Sequence, residues 1–511
     1  MTLDKDLAMI QEVRDLVRSA EKAQKLLGEM SQQETDAIVR AMCEAGAEAS
    51  ARLAAMAAEE TEIGRAEDKT LKNLFATKKL YECIRDMKTV GVISEDRANG
   101  LVEIAAPMGV TAAVTPTTNP TSTAMNNAII SMKARNAIVV SPHPRARKCT
   151  CEAVEVVRKA AVAAGAPEGC IGCVTQPGIA ATNELMRNAG VDVIIATGGP
   201  GIVRAAYSSG KPAFGVGAGN APCYIEKSAD VERAARIVAA SKSFDNSTIC
   251  ASEQSILCDA SIETQVREEL RKNGCYFMNE DERKKLERVL LTPDYGMMAS
   301  SVGRSAEALA EMAGFAAPRG TRVLIGDVDG VGAGYPLSHE KLSPVLAFYV
   351  VNGWEDACAL ATKLLELGGL GHTMAMHSRD EKIIMEFALR KPAMRVLVNT
   401  ASSLGGVGGT TGLFPALTLG CGTYGGNIIS DNLSPLHLIN RKRLAYGQRD
   451  IEELKQDLLK GTSFGGAAAS APEARKRTAA KEESPALPSE EELVRTIVAE
   501  VFRELTKTNR A

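Results

Sequence analysis

The sequence predicts an α/β protein built on parallel sheets, on three observations. Between Gly109 and Glu226, apolar runs at 110–114, 137–140, 170–174, 191–196 and 222–225 alternate with helical stretches. A second alternation runs from about residue 230 to 425. A glycine-rich turn at 197–201 follows one apolar run and opens a helix. The chain has 511 residues, 45% hydrophobic and 24% charged, which is ample apolar material for two such domains.

Composition narrows the function classes. Sixty basic against sixty-three acidic residues give a net charge of −3, far from the basic footprint of a protein that binds phosphate backbones, so no nucleic acid partner is expected. No run approaches the roughly 18 apolar residues of a membrane span. Met1 to Arg14 is charged without an apolar signal region, so a cytoplasmic protein is expected. Twelve cysteines then sit in a reducing compartment, as buried hydrophobes, ligands or nucleophiles.

Residues 1 to about 85 read as helices, with Ile10, Val13, Leu16 and Val17, and later Leu71, Leu74 and Leu80, at three- and four-residue spacing. From Thr89 to Val110 the pattern is strand-like: Val90, Val92, Leu101, Val102 and Ile104 flank the polar turn Asp96 to Gly100, predicting a hairpin that reaches toward another subunit. Helices follow at Arg147 to Gly165 and Gly201 to Ser209. In the second alternation, helices are expected at 229–242, 260–272, 279–291, 354–367 and 379–389. Strands are expected near 322–325, 345–351, 373–376 and 395–398. Residues 465–488 contain one large apolar residue, Leu487, and read as a flexible linker. Ser489 and Glu492 then form a capping-box signature before an apolar stripe of Val494, Ile497, Val498, Val501, Phe502 and Leu505, a helix that asks for a partner surface.

Several motifs could carry chemistry. Cys149, Cys151, Cys170 and Cys173 superficially resemble a zinc ribbon, but the second pair falls in a strand whose side chains alternate between faces, so no metal is expected. Cys43, Cys83, Cys223, Cys258, Cys275 and Cys358 lie in apolar stretches and read as buried packing residues. Cys250 stands apart in a short polar connection before the strand near Ser255. Spacing leaves it open between nucleophile and packing residue, and no histidine lies nearby in sequence to suggest a Cys/His dyad. The turn at 197–201 could hold a pyrophosphate at a helix N-terminus, yet it lacks the GxGxxG spacing and a later acidic residue. Gly215 to Asn220 reads equally as backbone that needs positive φ. The turn Thr115 to Thr121 is a capping turn or, through Asn119, an amide donor to a developing oxyanion.

Taken together and in order, these pieces resemble the aldehyde dehydrogenase superfamily, and within it the CoA-acylating, microcompartment-associated members. The resemblance covers about residues 5 to 445. It is carried by TPTTNPTST at 115–123, SPHPRA at 141–146, TGGPG at 197–201, KPAFGVGAGNAP at 211–222, FDNSTICASE at 244–253, HEKLSP at 339–344 and GHT at 371–373.

It implies a Rossmann-type NAD-binding domain at 1–236 carrying an oligomerisation hairpin at about 88–108. A catalytic α/β domain at 237–424 and a return segment at 425–447 follow. Residue by residue, it makes Cys250 the nucleophile and Asn119 the oxyanion-holding amide, together with the cysteine N–H. Glu340 becomes a contact of the nicotinamide ribose, and Thr197, Gly198 and Gly199 meet the dinucleotide. Ser141, Pro142 and His143 fall at its adenosine end. His372 falls near the active site, in the vicinity of substrate and CoA. Where hydrolytic members carry a water-activating glutamate, 34 residues before the nucleophile, this chain has Val216. Valine cannot take a proton, so the thioester should wait for a thiol.

The implied reaction oxidises a short-chain aldehyde, of the propionaldehyde or acetaldehyde class, with NAD and CoA to acyl-CoA. The Cys250 thiol is expected to have a depressed pKa. Arg145 and Arg147 keep NADP open. A hydrolytic aldehyde dehydrogenase, an acyl-phosphate reductase and a non-enzymatic scaffold are the rivals. The tail resembles encapsulation peptides, which implies attachment at 489–511 to shell or core proteins of a bacterial microcompartment. By analogy with the superfamily, the chain should form a dimer or tetramer.

Overall fold

The computed structural model describes residues 4–460. Two compact units separate within the chain, the first ending at Tyr446 and the second starting at Gly447.

The first unit begins with helices Lys5–Glu29, Gln32–Glu48, Ser50–Thr61, Ala66–Leu74 and Leu80–Ile84. Val13, Val17, Ala20 and Leu27 are buried along one face of the first helix, as the spacing of its apolar residues demands. The helix Ala66–Leu74 departs from expectation. Leu71 is exposed, and the buried side chains are Lys69, Lys72 and Asn73. Their partners lie far along the chain and form part of the site described below. Cys83 is also exposed rather than packed: Leu80 and Ile84, one turn apart, define the inward face, and Cys83 lies off it.

Fifteen strands form three sheets among the described residues. Strands β1 (Gly91–Asp96) and β2 (Leu101–Pro107) are the expected hairpin. Strands β3 (Val110–Val114), β4 (Ala137–Ser141), β5 (Ile171–Cys173), β6 (Val193–Thr197) and β7 (Ala213–Val216) make a parallel sheet in the order β5-β4-β3-β6-β7. Strands β8 (Ala221–Ile225), β9 (Glu253–Asp259), β10 (Cys275–Phe277), β11 (Val323–Asp327), β12 (Val345–Val351), β13 (Gly371–His377) and β14 (Ala393–Val398) make a second. Its order is β10-β11-β12-β9-β8-β13-β14, again parallel throughout. Strand β15 (Ile439–Ala445) returns to pair antiparallel with β2, placing Ile439 opposite Pro107 and Ala445 opposite Leu101.

Strands β3, β4 and β8 are buried along their whole length, which explains why they read as unbroken apolar runs. One placement differs from the sequence reading. The run at 222–225, grouped there with the first alternation, belongs to the seven-stranded sheet, between β9 and β13. Fully buried parallel strands look alike in sequence, and only pairing assigns them to a sheet. Strands β7 and β10 escaped notice because one lies in a glycine-rich stretch and the other is three residues long.

Of the four cysteines in the ribbon-like pattern, Cys151 and Cys173 meet with their sulfurs 3.0 Å apart, while Cys149 turns back to the Ala146 carbonyl. Among the described residues no helix is long and apolar enough to cross a membrane. The second unit contains the helix Ile451–Leu459, whose start is fixed by a capping box between Asp450 and Glu453. The linker at 465–488 and the helix at 489–511 lie outside the described residues.

Candidate active site

Cys250 sits between the helix Val231–Ser243 and β9, on a loop held in an unusual backbone. Asp245, Asn246 and Ser247 all have positive φ, at 47°, 50° and 66°. Three such residues in a row cost free energy and persist only where surroundings over-determine them. Those surroundings are ionic. The buried Asp245 carboxylate accepts from Lys69 Nζ at 3.0 Å, from Lys72 Nζ, from Thr248 Oγ1 at 2.7 Å and from the Arg65 backbone N–H at 2.7 Å. Burial pushes the Asp245 carboxyl up, but Lys72 and Lys69 outweigh it and hold the pKa below the ordinary value. Burial pushes Lys72 down to about 8 against the pull of Asp245. Gly64 lines the same pocket with φ at +75°, and a Cβ there would lie 1.9 Å from Asp245 Oδ1, so no side chain fits.

The Cys250 sulfur, half-buried, faces a histidine. His372 Nε2 lies 3.2 Å from Sγ, and His372 Nδ1 lies 2.9 Å from Thr373 Oγ1. A Cys/His pair therefore exists; it was invisible in sequence because its members are 122 residues apart and meet only when β13 begins beside the Cys250 loop. Burial and the nearby Arg395 push the His372 imidazole down to about 3, so it is neutral. The expected depression of the Cys250 pKa is not found. Burial, reinforced by Glu340 and Cys421, pushes the thiol up to about 12, against smaller opposing pulls from Arg395 and the Cys250 N–H. The backbone closes tightly here: a Cβ on Gly219 would come within 2.3 Å of the Cys250 carbonyl oxygen and 3.3 Å of His372 Cδ2.

Val216 is buried at the end of β7 in an apolar cluster with Ile249, Ala251 and Leu419, against which Cys250 packs. That wall offers water no base.

Asn119 caps the helix Pro120–Lys133 and lies against the nucleophile loop. Its Nδ2 donates to the Thr248 carbonyl at 3.1 Å and to Thr118 Oγ1 at 3.2 Å, while its Oδ1 accepts from Lys72 Nζ at 2.6 Å. Lys72 thereby fixes which end of the amide faces the loop, because an ammonium can only donate.

The other expected residues gather at a second place. A cavity of about 370 Å³ is lined by Pro142, His143, Thr197, Gly198 and Gly199, with Val114, Pro116, Ile179 and Ile202 as apolar walls. Gly199 caps the helix Pro200–Tyr207, so a helix N-terminus opens there. Ser141 is buried behind the cavity, 3.2 Å from Thr182, which lines it. Apolar walls beside a helix N-terminus suit a dinucleotide, with a base between the walls and phosphate at the amides. Glu340 lies with the nucleophile instead. It accepts the Gly219 N–H at 3.1 Å, and burial pushes its carboxyl up to about 7.

Residues 6–281 match the Aldehyde dehydrogenase family. The chain belongs to that family. It is 45% identical over 441 residues to the bifunctional aldehyde-alcohol dehydrogenase AdhE of Escherichia coli (strain K12), covering 85% of this chain and 49% of AdhE. The chain thus spans about half the length of the first curated relatives it matches. Its fold superposes with a TM-score of 0.87 on an acetylating aldehyde dehydrogenase from Geobacillus thermoglucosidasius, at 52% identity over 88% of this chain and 99% of that one. It also superposes, with a TM-score of 0.76 and 28% identity, on a propionaldehyde dehydrogenase from the Clostridium phytofermentans fucose utilisation bacterial microcompartment, covering 85% and 97% of the two chains.

As an aldehyde dehydrogenase family member the chain has the α/β architecture expected of it. Sequence reasoning gave no role to the residues that act on the named ones: Asp245 and Thr373, which lie inside quoted motifs, and Lys69, Lys72, Arg395 and Cys421, which do not. The signal available for Lys72 was weak but present: Lys72 and Asn73 lie at helical spacing from Lys69, where an apolar stripe would otherwise be drawn.

Proposed function

We propose that the chain is a CoA-acylating aldehyde dehydrogenase that oxidises a short-chain aldehyde of the propionaldehyde or acetaldehyde class to its acyl-CoA. The observation that carries this is the wall beside the nucleophile: Cys250 packs against the apolar cluster that holds Val216, at the position where hydrolytic members carry a water-activating glutamate. Support also comes from a 52% identical acetylating relative.

The Cys250 thiolate adds to the aldehyde carbon, and the resulting oxyanion lies within reach of the Asn119 amide and the Cys250 N–H. One Asn119 hydrogen must leave Thr248 or Thr118 to serve it. NAD, when bound in the cavity at Thr197 to Gly199, supplies the acceptor for the hydride; Arg145 and Arg147 leave room for NADP. Glu340 offers a carboxylate to a ribose hydroxyl. Oxidation leaves the acyl group as a thioester on Cys250, which the apolar Val216 wall shields from activated water until the CoA thiol displaces it. The exchange joins two thioesters of similar energy and runs in both directions.

We also read the hairpin β1–β2 with β15 as the contact between copies in a dimer or tetramer, and 489–511 as attachment to microcompartment shell or core proteins; one structural neighbour comes from a bacterial microcompartment. The test is purified protein with propionaldehyde and NAD, with and without CoA, following NADH and acyl-CoA. Expected is CoA-dependent turnover that Cys250→Ala abolishes. NADH formation at full rate without CoA would establish the hydrolytic alternative.

A further inference from the structure

The side chains behind Cys250 form a line of hydrogen bonds whose direction is fixed at one end. Arg395 is buried and donates to the Gly420 carbonyl at 2.7 Å, the Ser430 carbonyl at 3.4 Å, Asn432 Oδ1 at 3.3 Å and, through its Nε–H, Thr373 Oγ1 at 3.2 Å. A guanidinium has no acceptor. Thr373 Oγ1 therefore accepts from Arg395, and its own hydrogen has one remaining partner among the described residues, His372 Nδ1 at 2.9 Å. A hydroxyl that donates to Nδ1 finds a lone pair there, so the neutral ring carries its proton on Nε2. The opposite tautomer would strand the buried Thr373 hydrogen without an acceptor. Nε2 is the atom 3.2 Å from the Cys250 sulfur.

We infer that Arg395 and Thr373 are positioning residues that hold His372 as its Nε2–H tautomer, so that the imidazole donates a hydrogen bond to the Cys250 sulfur instead of taking its proton. The inference rests on reading Cys250 as the nucleophile. On that reading sulfur carries negative charge twice, when it attacks the aldehyde and when the incoming thiol displaces it from the thioester. A fixed donor favours both moments at no cost of reorganisation. The other groups facing the sulfur are Glu340 and Cys421, which oppose the thiolate, and Arg395 itself, whose charge supports it from behind the ring.

Nitrogen NMR of the full chain labelled at its five histidines reads the tautomer directly. His372 is identified as the ring whose signals move when Cys250 is alkylated, so no variant is needed. Expected is an unprotonated Nδ1 and a protonated Nε2. Iodoacetamide labelling of Cys250 against pH, read by peptide mass spectrometry, is the second measurement. Thr373→Val and Arg395→Met are expected to slow labelling at fixed pH roughly tenfold by raising the thiol pKa. They should lower kcat while leaving the KM for NAD unchanged, and Thr373→Ser should restore both. A protonated Nδ1 in the unaltered chain, or a Thr373→Val labelling profile that overlays it, overturns the inference. Turnover surviving Cys250→Ala overturns the reading of the nucleophile while leaving the tautomer measurement standing.

Discussion

Two side chains at the site have their pKa values moved by burial, and each makes a prediction. Lys72 is a buried ammonium kept in place by Asp245 and Asn119. Replacing it with Met leaves the Asp245 carboxylate buried with Lys69 as its remaining ammonium partner. Breaking one arm of such a cluster costs about 3 kcal/mol. Denaturant titration of Lys72→Met should show that loss, and kcat should fall further than stability alone explains because the Asn119 amide is free to flip. Glu340 has its carboxyl raised to about 7. A ribose hydroxyl donates more strongly to the carboxylate than to the acid, and the carboxylate fraction grows as pH rises through 7. NAD binding, followed by fluorescence or calorimetry, should therefore tighten between pH 6 and 8, with proton release, and Glu340→Gln should flatten the dependence. Val216→Glu supplies the missing base to the thioester. NADH formation without CoA is expected to rise roughly a hundredfold in that variant, and an unchanged CoA requirement would show that geometry, not the absent base, excludes water.

At the scale of elements, what sequence could reveal divides by how local the cause is. The buried strands β3, β4, β8, β12 and β13 were legible as apolar runs, and the hairpin β1–β2 from its polar turn, because burial and turn chemistry act within a few residues. The sheet to which β8 belongs was not legible, since pairing is a non-local choice. Nor was the polar inward face of Ala66–Leu74: Lys69 and Lys72 face inward for the sake of Asp245, more than 170 residues on. In the site, Cys250 and Asn119 were picked out by motif. Of their controllers, Thr373 fell inside the GHT motif without a role, and Arg395 and Lys72 fell in no motif, because each acts through a contact made only on folding. The hairpin carries its own prediction. Among the described residues strand β1 pairs only with β2, leaving its other edge without a strand partner there, and Val92 and Leu444 are exposed on the same small sheet. If copies meet there, the double variant Val92→Glu, Leu444→Glu should sediment as a monomer, with Cys250 still labelled by iodoacetamide at the rate of the unaltered chain.

For the whole molecule, the proposed chemistry and the proposed addressing fall on different stretches of chain. Every group brought to Cys250 or the cavity, from Gly64 to Asn432, lies in the unit that ends at Tyr446. The last strand of that unit, β15, is tied to β2 along seven residue pairs, so the fold has a defined end in its ladder. Residues 465–488 have a composition that cannot support a core, and 489–511 carry an apolar stripe that seeks a partner. A chain ended after Lys460 should then keep its unfolding midpoint, its kcat with propionaldehyde, NAD and CoA, and its NAD affinity, each within about twofold, since no named contact of the site is removed. The same truncation should abolish co-sedimentation with assembled microcompartment shells when both are expressed together, and fusing 465–511 to an unrelated soluble protein should confer it. A truncated chain that loses turnover would mean that the tail completes the active unit. A fusion that fails to co-sediment would remove addressing from the functions of the tail and leave the enzyme reading untouched.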